Sequence, residues 1–216
     1  MKLLRVSEKS LHRLLVEGKD DLHTVVHLVR RHGLDYDNPA QAMPYIHSTD
    51  GYPAMLDALP VAAKSYKRLG VVIDADSDPT VRWQALRYRL NTVGVSLPEH
   101  PAPGGSIVTG MAADWRAGVW LMPDNSQAGT LETFLSHLVP EADACWPHAE
   151  NATREAKNLG AKYPDKYFPK AHIHTWLSWQ QEPGQPFGTA ITSACFKTDT
   201  AEALSFVGWF KRLFLE

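Results

Sequence analysis

Leu69-Gly70-Val71-Val72-Ile73-Asp74-Ala75-Asp76-Ser77-Asp78-Pro79 is the stretch on which the fold turns. An apolar, largely β-branched run ending in turn residues reads as a buried strand. It covers residues 69–74. Pro79 then opens a helix reaching to about residue 93, since proline suits the first helical position. Upstream, residues 11–16 read as a short buried strand. Gly18 follows as a turn, and residues 19–32 carry Leu22, Val25, Val26 and Val29 at helical spacing, with Gly33 as the stop. Residues 42–47 read as a strand and 52–65 as a helix. Pro53 is tolerable in the first turn of that helix, whereas Pro60 is expected to break it. Strands at 106–109 and 118–122, in hairpin arrangement, follow a Pro/Gly loop at 97–105, and residues 130–138 form a further helix.

Strands alternating with helices through residue 140 predict an α/β fold with a Rossmann-like, mostly parallel sheet flanked by helices. After Pro140 the character changes. Residues 141–159, 165–180 and 200–214 read as helices, with a loop at 182–188. We therefore expect an α/β domain over residues 1–140 and a helical C-terminal extension over 141–216, packed on it.

The chain has 216 residues, of which 44% are hydrophobic and 21% charged, with a net charge of −2. That excludes a strongly basic chain held to nucleic acid by charge alone. Cys145 and Cys195 form no CxxC pair, so a disulfide framework is not expected and a reducing compartment fits better. The N-terminus lacks the apolar core of a secretory signal. No run approaches the ~18 apolar residues that a membrane span needs. These features predict a cytoplasmic protein with no membrane partner. A Walker A motif and a GxSxG elbow are both lacking.

Chemistry-bearing residues concentrate in three acidic clusters at strand ends: Glu17 with Asp20 and Asp21, then Asp74, Asp76 and Asp78, then Asp124 and Glu132. Ligands of open α/β sheets bind outside the carboxyl ends of the strands. In extended backbone, carboxylates two residues apart, as at Asp74 and Asp76, point the same way. Converging carboxylates repel one another unless a cation neutralises them. Acid-only oxygen donors select Mg²⁺ or Mn²⁺ over zinc. Each acid also has a bland reading. Asp20 complements the dipole of its helix. Asp78 divides evenly between N-cap and metal ligand. Asp124 can close an Asx-turn, and Glu132 can lie on a solvated helix face. What singles these acids out is their joint placement.

Glu17-Gly18-Lys19-Asp20-Asp21 after an N-terminal strand, followed by Asp74-Ala75-Asp76 after a later one, resembles the Toprim domain over residues 11–140. That family includes type IA and type II topoisomerases, bacterial primases and the nucleases of the overcoming-lysogenization-defect group. The segment PDNSQAGTLE, residues 123–132, is similar to a branch of small stand-alone Toprim-like bacterial proteins. The resemblance implies Glu17 as metal ligand or general acid/base, Asp21 as the second acid of EGxxD, and Asp74 with Asp76 as DxD, Asp78 being an optional third member. It implies Glu132 as a further metal acid with Asp124 in reserve, and Lys170 or Lys162 as a catalytic lysine.

The implied activity is metal-dependent nucleic-acid cleavage, in DNA repair or phage defence. Two cations ~3.5–4 Å apart would act on the scissile phosphate. Glu17, Asp74 and Asp76 would share one, Asp21 and Glu132 the other. DNA or RNA would lean on Arg82, Arg87, Arg89, Lys162, Lys166 and Lys170. An ATPase on a separate chain is an implied partner. The chain has no room for a topoisomerase tyrosine domain or for primase accessory modules. The rival readings are a non-catalytic assembly module and a receiver-type domain, but Glu17-Gly18-Lys19 does not match the adjacent acids of a receiver. Trp176, Trp179, Phe206, Trp209, Phe210 and Phe214 have helical spacing and read as core or as the interface of a homodimer.

Overall fold

The computed structural model describes residues 6–38, 40–110 and 112–216. The chain runs β1 (His12–Val16), α1 (Lys19–Arg31), β2 (Tyr45–Ser48), α2 (Tyr52–Ser65), β3 (Arg68–Asp74), α3 (Pro79–Asn91), β4 (Ser106–Thr109), β5 (Arg116–Met122), α4 (Leu131–Ser136), α5 (Cys145–Asn158), a 3-10 turn (Asp165–Tyr167), α6 (Phe168–Leu177), α7 (Phe187–Thr192) and α8 (Ala201–Phe214). The five strands form one sheet in the order β2-β1-β3-β5-β4. β4 alone is antiparallel, closing the expected hairpin with β5. The α/β class and the mostly parallel sheet agree with the sequence.

Both faces of the sheet are covered, so its central strands are apolar on both sides. Leu14, Val16, Val72, Trp120 and Met122 face a core shared with α1 and α8. Leu15, Val71, Ile73, Val119 and Leu121 face α2 and α3. The crossover through α1 steps outward from β1 to β2, and the crossover through α2 steps back past β1 to β3. Right-handed crossovers running in opposite directions put their helices on opposite faces. The sheet therefore has a topological switch point between β1 and β3.

Several local expectations are corrected. Pro60 does not end α2, which runs unbroken to Ser65. Burial of Met55, Leu59, Ala62 and Ala63 along one helix face outweighs the lost backbone hydrogen bond. β2 begins at Tyr45, because Pro44 has no N–H for the ladder. The loop expected at 182–188 already contains the start of α7. Of the six aromatic residues assigned to core or interface, Trp176, Phe206, Trp209, Phe210 and Phe214 are buried within the chain, while Trp179 is exposed.

α8 lies close against the sheet because two glycines make room for it. Gly70 and Gly118 are register partners on β3 and β5. A Cβ on Gly118 would stand 2.7 Å from Leu213, and one on Gly70 would stand 2.7 Å from Leu14 and 2.8 Å from Phe214. The C-terminal helix thus forms part of the main apolar core. Among the described residues, no helix is long and apolar enough to cross a membrane.

Candidate functional site

Glu17 and Asp74 leave the carboxyl ends of β1 and β3 at the switch point, where neighbouring loops diverge and open a crevice. A Glu17 carboxylate oxygen accepts from the Asp74 backbone N–H at 2.9 Å, tying the two strand ends together. Asp21, in the first turn of α1, accepts from the Gly18 N–H at 3.0 Å. Asp74 Oδ1 accepts from the Leu131 N–H at 2.9 Å, at the start of α4. This last bond depends on a small backbone bridge. Asp76 N–H donates to the Gly129 carbonyl at 2.8 Å, and Gly129 N–H returns a bond to the Asp76 carbonyl at 2.7 Å. Gly129 has φ +153°, and a Cβ there would meet Thr133 at 2.9 Å and Pro123 at 3.0 Å. Only glycine fits that position without strain. The bridge brings the α4 start, and Glu132 with it, to the crevice.

Asp74 consequently lies within electrostatic reach of Asp21, Glu17 and Glu132, and Asp21 within reach of Glu17 and Glu132. Burial raises the Asp74 carboxyl well above the usual range, and the negative charges of Asp21, Glu17 and Glu132 raise it further. Burial, then the Glu17 charge, push Asp21 up to about 7, against the pull of the Gly18 N–H. Burial also raises Glu17, partly offset by its bond to Asp74 and by the nearby Arg82 guanidinium. The bland surface reading of Glu132 fails here: its side chain is 12% exposed, with an Oε1–Lys170 Nζ distance of 3.4 Å. Its Oε2 accepts from Thr130 Oγ1 at 2.8 Å.

Lys170 joins the cluster from α6, far away in sequence. Its ammonium lies 3.4 Å from Glu132 and 3.8 Å from Asp20. Burial lowers its pKa, but the charges of Glu132, Asp20 and Asp21 outweigh that and hold it above the ordinary lysine value. Lys162, the other candidate, stands in the loop after α5 and forms no ion pair with these acids among the described residues. His174, two residues from His172 and a poor partner for it, instead shares the Lys170 face at i, i+4. It stacks on Phe187, and burial and the Lys170 charge lower its pKa against the opposing charges of Glu132 and Asp20. That spacing is the signal in the sequence that could have found it.

The other acids stand apart from this cluster. The Asp74–Asp76 pair does not continue as extended backbone. β3 ends at Asp74, and Asp76 has φ +50°, which turns its carboxylate away to an ion pair with Arg82. Arg82 in turn stacks over Tyr52, 3.5 Å from the ring centroid. Asp78 caps α3, accepting from the Thr80 and Val81 N–H groups at 2.8 and 3.2 Å. Asp124 closes its own turn by accepting from the Ser126 and Gln127 backbone and side chains. Burial works upward on its pKa, but those four bonds together hold it low. Asp124→Ala is expected to cost ~1 kcal/mol in urea unfolding and to leave divalent-cation binding unchanged. A loss of cation binding would return Asp124 to the site.

The donor chemistry of the cluster fits a hard divalent cation. It is all carboxylate, self-repelling, and short of compensating charge. Glu17 Oε2 and Asp74 Oδ2 have no hydrogen-bond partner among the described residues. The oxygens are not drawn onto a single point: no group of three or more His, Cys, Asp and Glu among the described residues stands ready to hold a metal ion.

The raised Asp21 pKa has a consequence for stability. Between about pH 4 and 7 the folded protein retains a proton on Asp21 that the unfolded chain has released. Stability must therefore fall as pH rises through that window. We expect the metal-free protein to lose on the order of a few kcal/mol between pH 4 and 7 from this group. Asp21→Asn, which keeps an oxygen for the Gly18 N–H, should flatten that part of the curve in denaturant titrations at several pH values. A variant with the wild-type slope would show that Asp21 is ionised throughout.

The fold and site define an open α/β protein with an acidic crevice at its topological switch point. A family model described as a protein of unknown function, DUF3226, matches residues 11–215, and the chain belongs to that family. The match spans the sheet and the C-terminal helices alike. Neither a search of the curated proteins nor one of the solved structures gave a match.

Proposed function

We propose that this protein performs divalent-cation-dependent phosphodiester chemistry of the Toprim kind, with nucleic-acid cleavage as the reaction. The observation that carries the reading is the meeting of Glu17, Asp21, Asp74 and Glu132 at the β1–β3 switch point, with Lys170 on its rim. Glu17 and Asp74, each with one oxygen fixed by a backbone N–H and the other without a partner, would hold Mg²⁺ or Mn²⁺, joined by Asp21. The cation would supply Lewis-acid stabilisation of phosphate charge and a more acidic bound water. In the cation-free site Asp21, poised near neutrality, can hold a proton at its carboxylate, and it would release that proton when a cation binds. Lys170, held by Glu132 and Asp20, offers a fixed positive charge to a phosphate oxygen. Two unpaired cysteines support a reducing, cytoplasmic setting.

One observation favours the alternative of a non-catalytic assembly module. The Asp76 carboxylate is engaged by Arg82 and lies outside the cluster. The test is to titrate purified protein with Mg²⁺ and Mn²⁺ against labelled DNA and RNA, beside Asp74→Ala. Cleavage that needs the cation and disappears in the variant supports the nuclease. Cation binding without cleavage, alone or with an ATPase partner chain, supports the assembly module. Without cation binding, the reading of these acids fails.

A further inference from the structure

At the opposite end of β1 from Glu17, a second charged group is buried for which the proposed chemistry has no use. Arg13 is 6% exposed. Its guanidinium is sandwiched between two rings, 4.5 Å from the Tyr45 centroid and 4.6 Å from that of Tyr66. The arrangement follows from strand pairing. Tyr45 is the β2 register partner of Arg13, and Tyr66 lies just before β3 on the other side. Stacking occupies both faces of the guanidinium and leaves only its edge for hydrogen bonding. On that edge Nη2 donates to the Glu8 carbonyl, while Nε is buried with no acceptor. Among the described residues no carboxylate pairs with this cation. A buried charge without a counter-ion is costly unless a partner is supplied.

Arg13 also lines a cleft of about 380 Å³ between the flank of α2 and the edge strand β2. His47 and Ser65 contribute polar groups to it, while Leu15, Ala58 and Val61 form an apolar wall. We propose that this cleft is an oxyanion-binding site, in which Arg13 takes the carboxylate or phosphate group of a small ligand and the α2 flank takes its apolar body. The remaining amino group, Nη1, has no hydrogen-bond partner among the described residues and offers either anion a charge-assisted donor. The site is independent of the acidic crevice.

The test measures thermal stability of the full chain against isovalerate, acetate and inorganic phosphate, with sodium chloride at matched ionic strength as control. Two variants accompany it. Arg13→Met removes the cation. Val61→Glu, at a position 68% exposed and so tolerant of change, brings a competing carboxylate to the mouth of the cleft. An anion at 100 times its dissociation constant should add ~2.7 kcal/mol of stability, or several degrees in Tm. Stabilisation lost in Val61→Glu supports the site. Isovalerate acting above acetate and phosphate identifies a carboxylate with an apolar body; phosphate acting above both identifies a phosphate ligand. Shifts no larger than those of chloride, or shifts that survive in Val61→Glu, overturn the proposal. Val61→Glu decides the matter even if Arg13→Met does not fold.

Discussion

Metal-free Asp74→Asn should melt above the wild type at pH 8 and, on the proposed reading of the site, should gain no stabilisation from Mn²⁺ where the wild type does. Asparagine keeps an oxygen for the Leu131 N–H and nearly the same volume, so the α4 start stays in place. It removes the most strongly perturbed acid of the crevice, one raised first by burial and then by Asp21, Glu17 and Glu132. An acid whose folded pKa lies above its unfolded value weakens the fold as pH rises through that interval, because ionisation is easier once the chain unfolds. Relief of ~1 kcal/mol would move Tm by roughly 2–4 °C in a chain of this size. The gain should vanish near pH 4, where Asp74 is protonated in any case. Cleavage, if the proposed chemistry holds, should fall by ~10²-fold or more, the scale on which one preorganised electrostatic group acts. Differential scanning fluorimetry at pH 4 and 8, with and without Mn²⁺, reads the stability part. A lower Tm for the variant at pH 8 would mean that Asp74 is ionised and structurally needed without any cation.

Trp209→Ala is expected to be the most damaging single truncation in the C-terminal helices, at ~3–5 kcal/mol. Trp209 is fully buried. It packs on Trp120 at 5.9 Å and Phe206 at 5.7 Å between ring centroids, and its indole N–H donates to the Ser106 carbonyl at 3.3 Å. Truncation leaves a cavity and an acceptor without its donor at the same point. Such a cost is a large share of the ~5–15 kcal/mol that holds a typical domain folded. Gly118→Val tests the same contact from the other side, since its side chain would collide with Leu213 and Trp209. Overpacking of that kind costs ~1–3 kcal/mol. Guanidinium unfolding followed by far-UV circular dichroism measures both. A loss below ~1 kcal/mol for Trp209→Ala would mean that the sheet keeps its core without α8, as a separately folding unit of residues 1–140 would.

The sequence exposed the strands most clearly where both faces are buried. The run at 69–73 reads as interior throughout, since a strand covered on both sides has no polar positions to alternate with, and the same holds for residues 14–16. The short helix α7 was hidden because six residues give too little periodicity to read, and its burial is decided by the helices around it. Pro60 misled for a related reason. Its local propensity says nothing of the tertiary burial that overrides it.

For the site, the sequence by itself determined which residue types stand at the carboxyl ends of the strands: Glu17 after β1 and Asp74 after β3, with Asp21 one helical turn beyond. Strand ends and helix starts are set by short-range patterns, so they can be read locally. Only the tertiary structure decided which of the remaining acids join them. In the sequence Asp74 and Asp76 read as one pair, with Asp78 divided between cap and ligand. A positive φ, an arginine and a helix start assign them three different tasks. Glu132 and Lys170, 38 positions apart, meet because α4 and α6 pack together, and nothing in the spacing of either could announce it. Chain topology gathers residues from distant segments, and the pairing of their charges is fixed only once the helices have docked on the sheet.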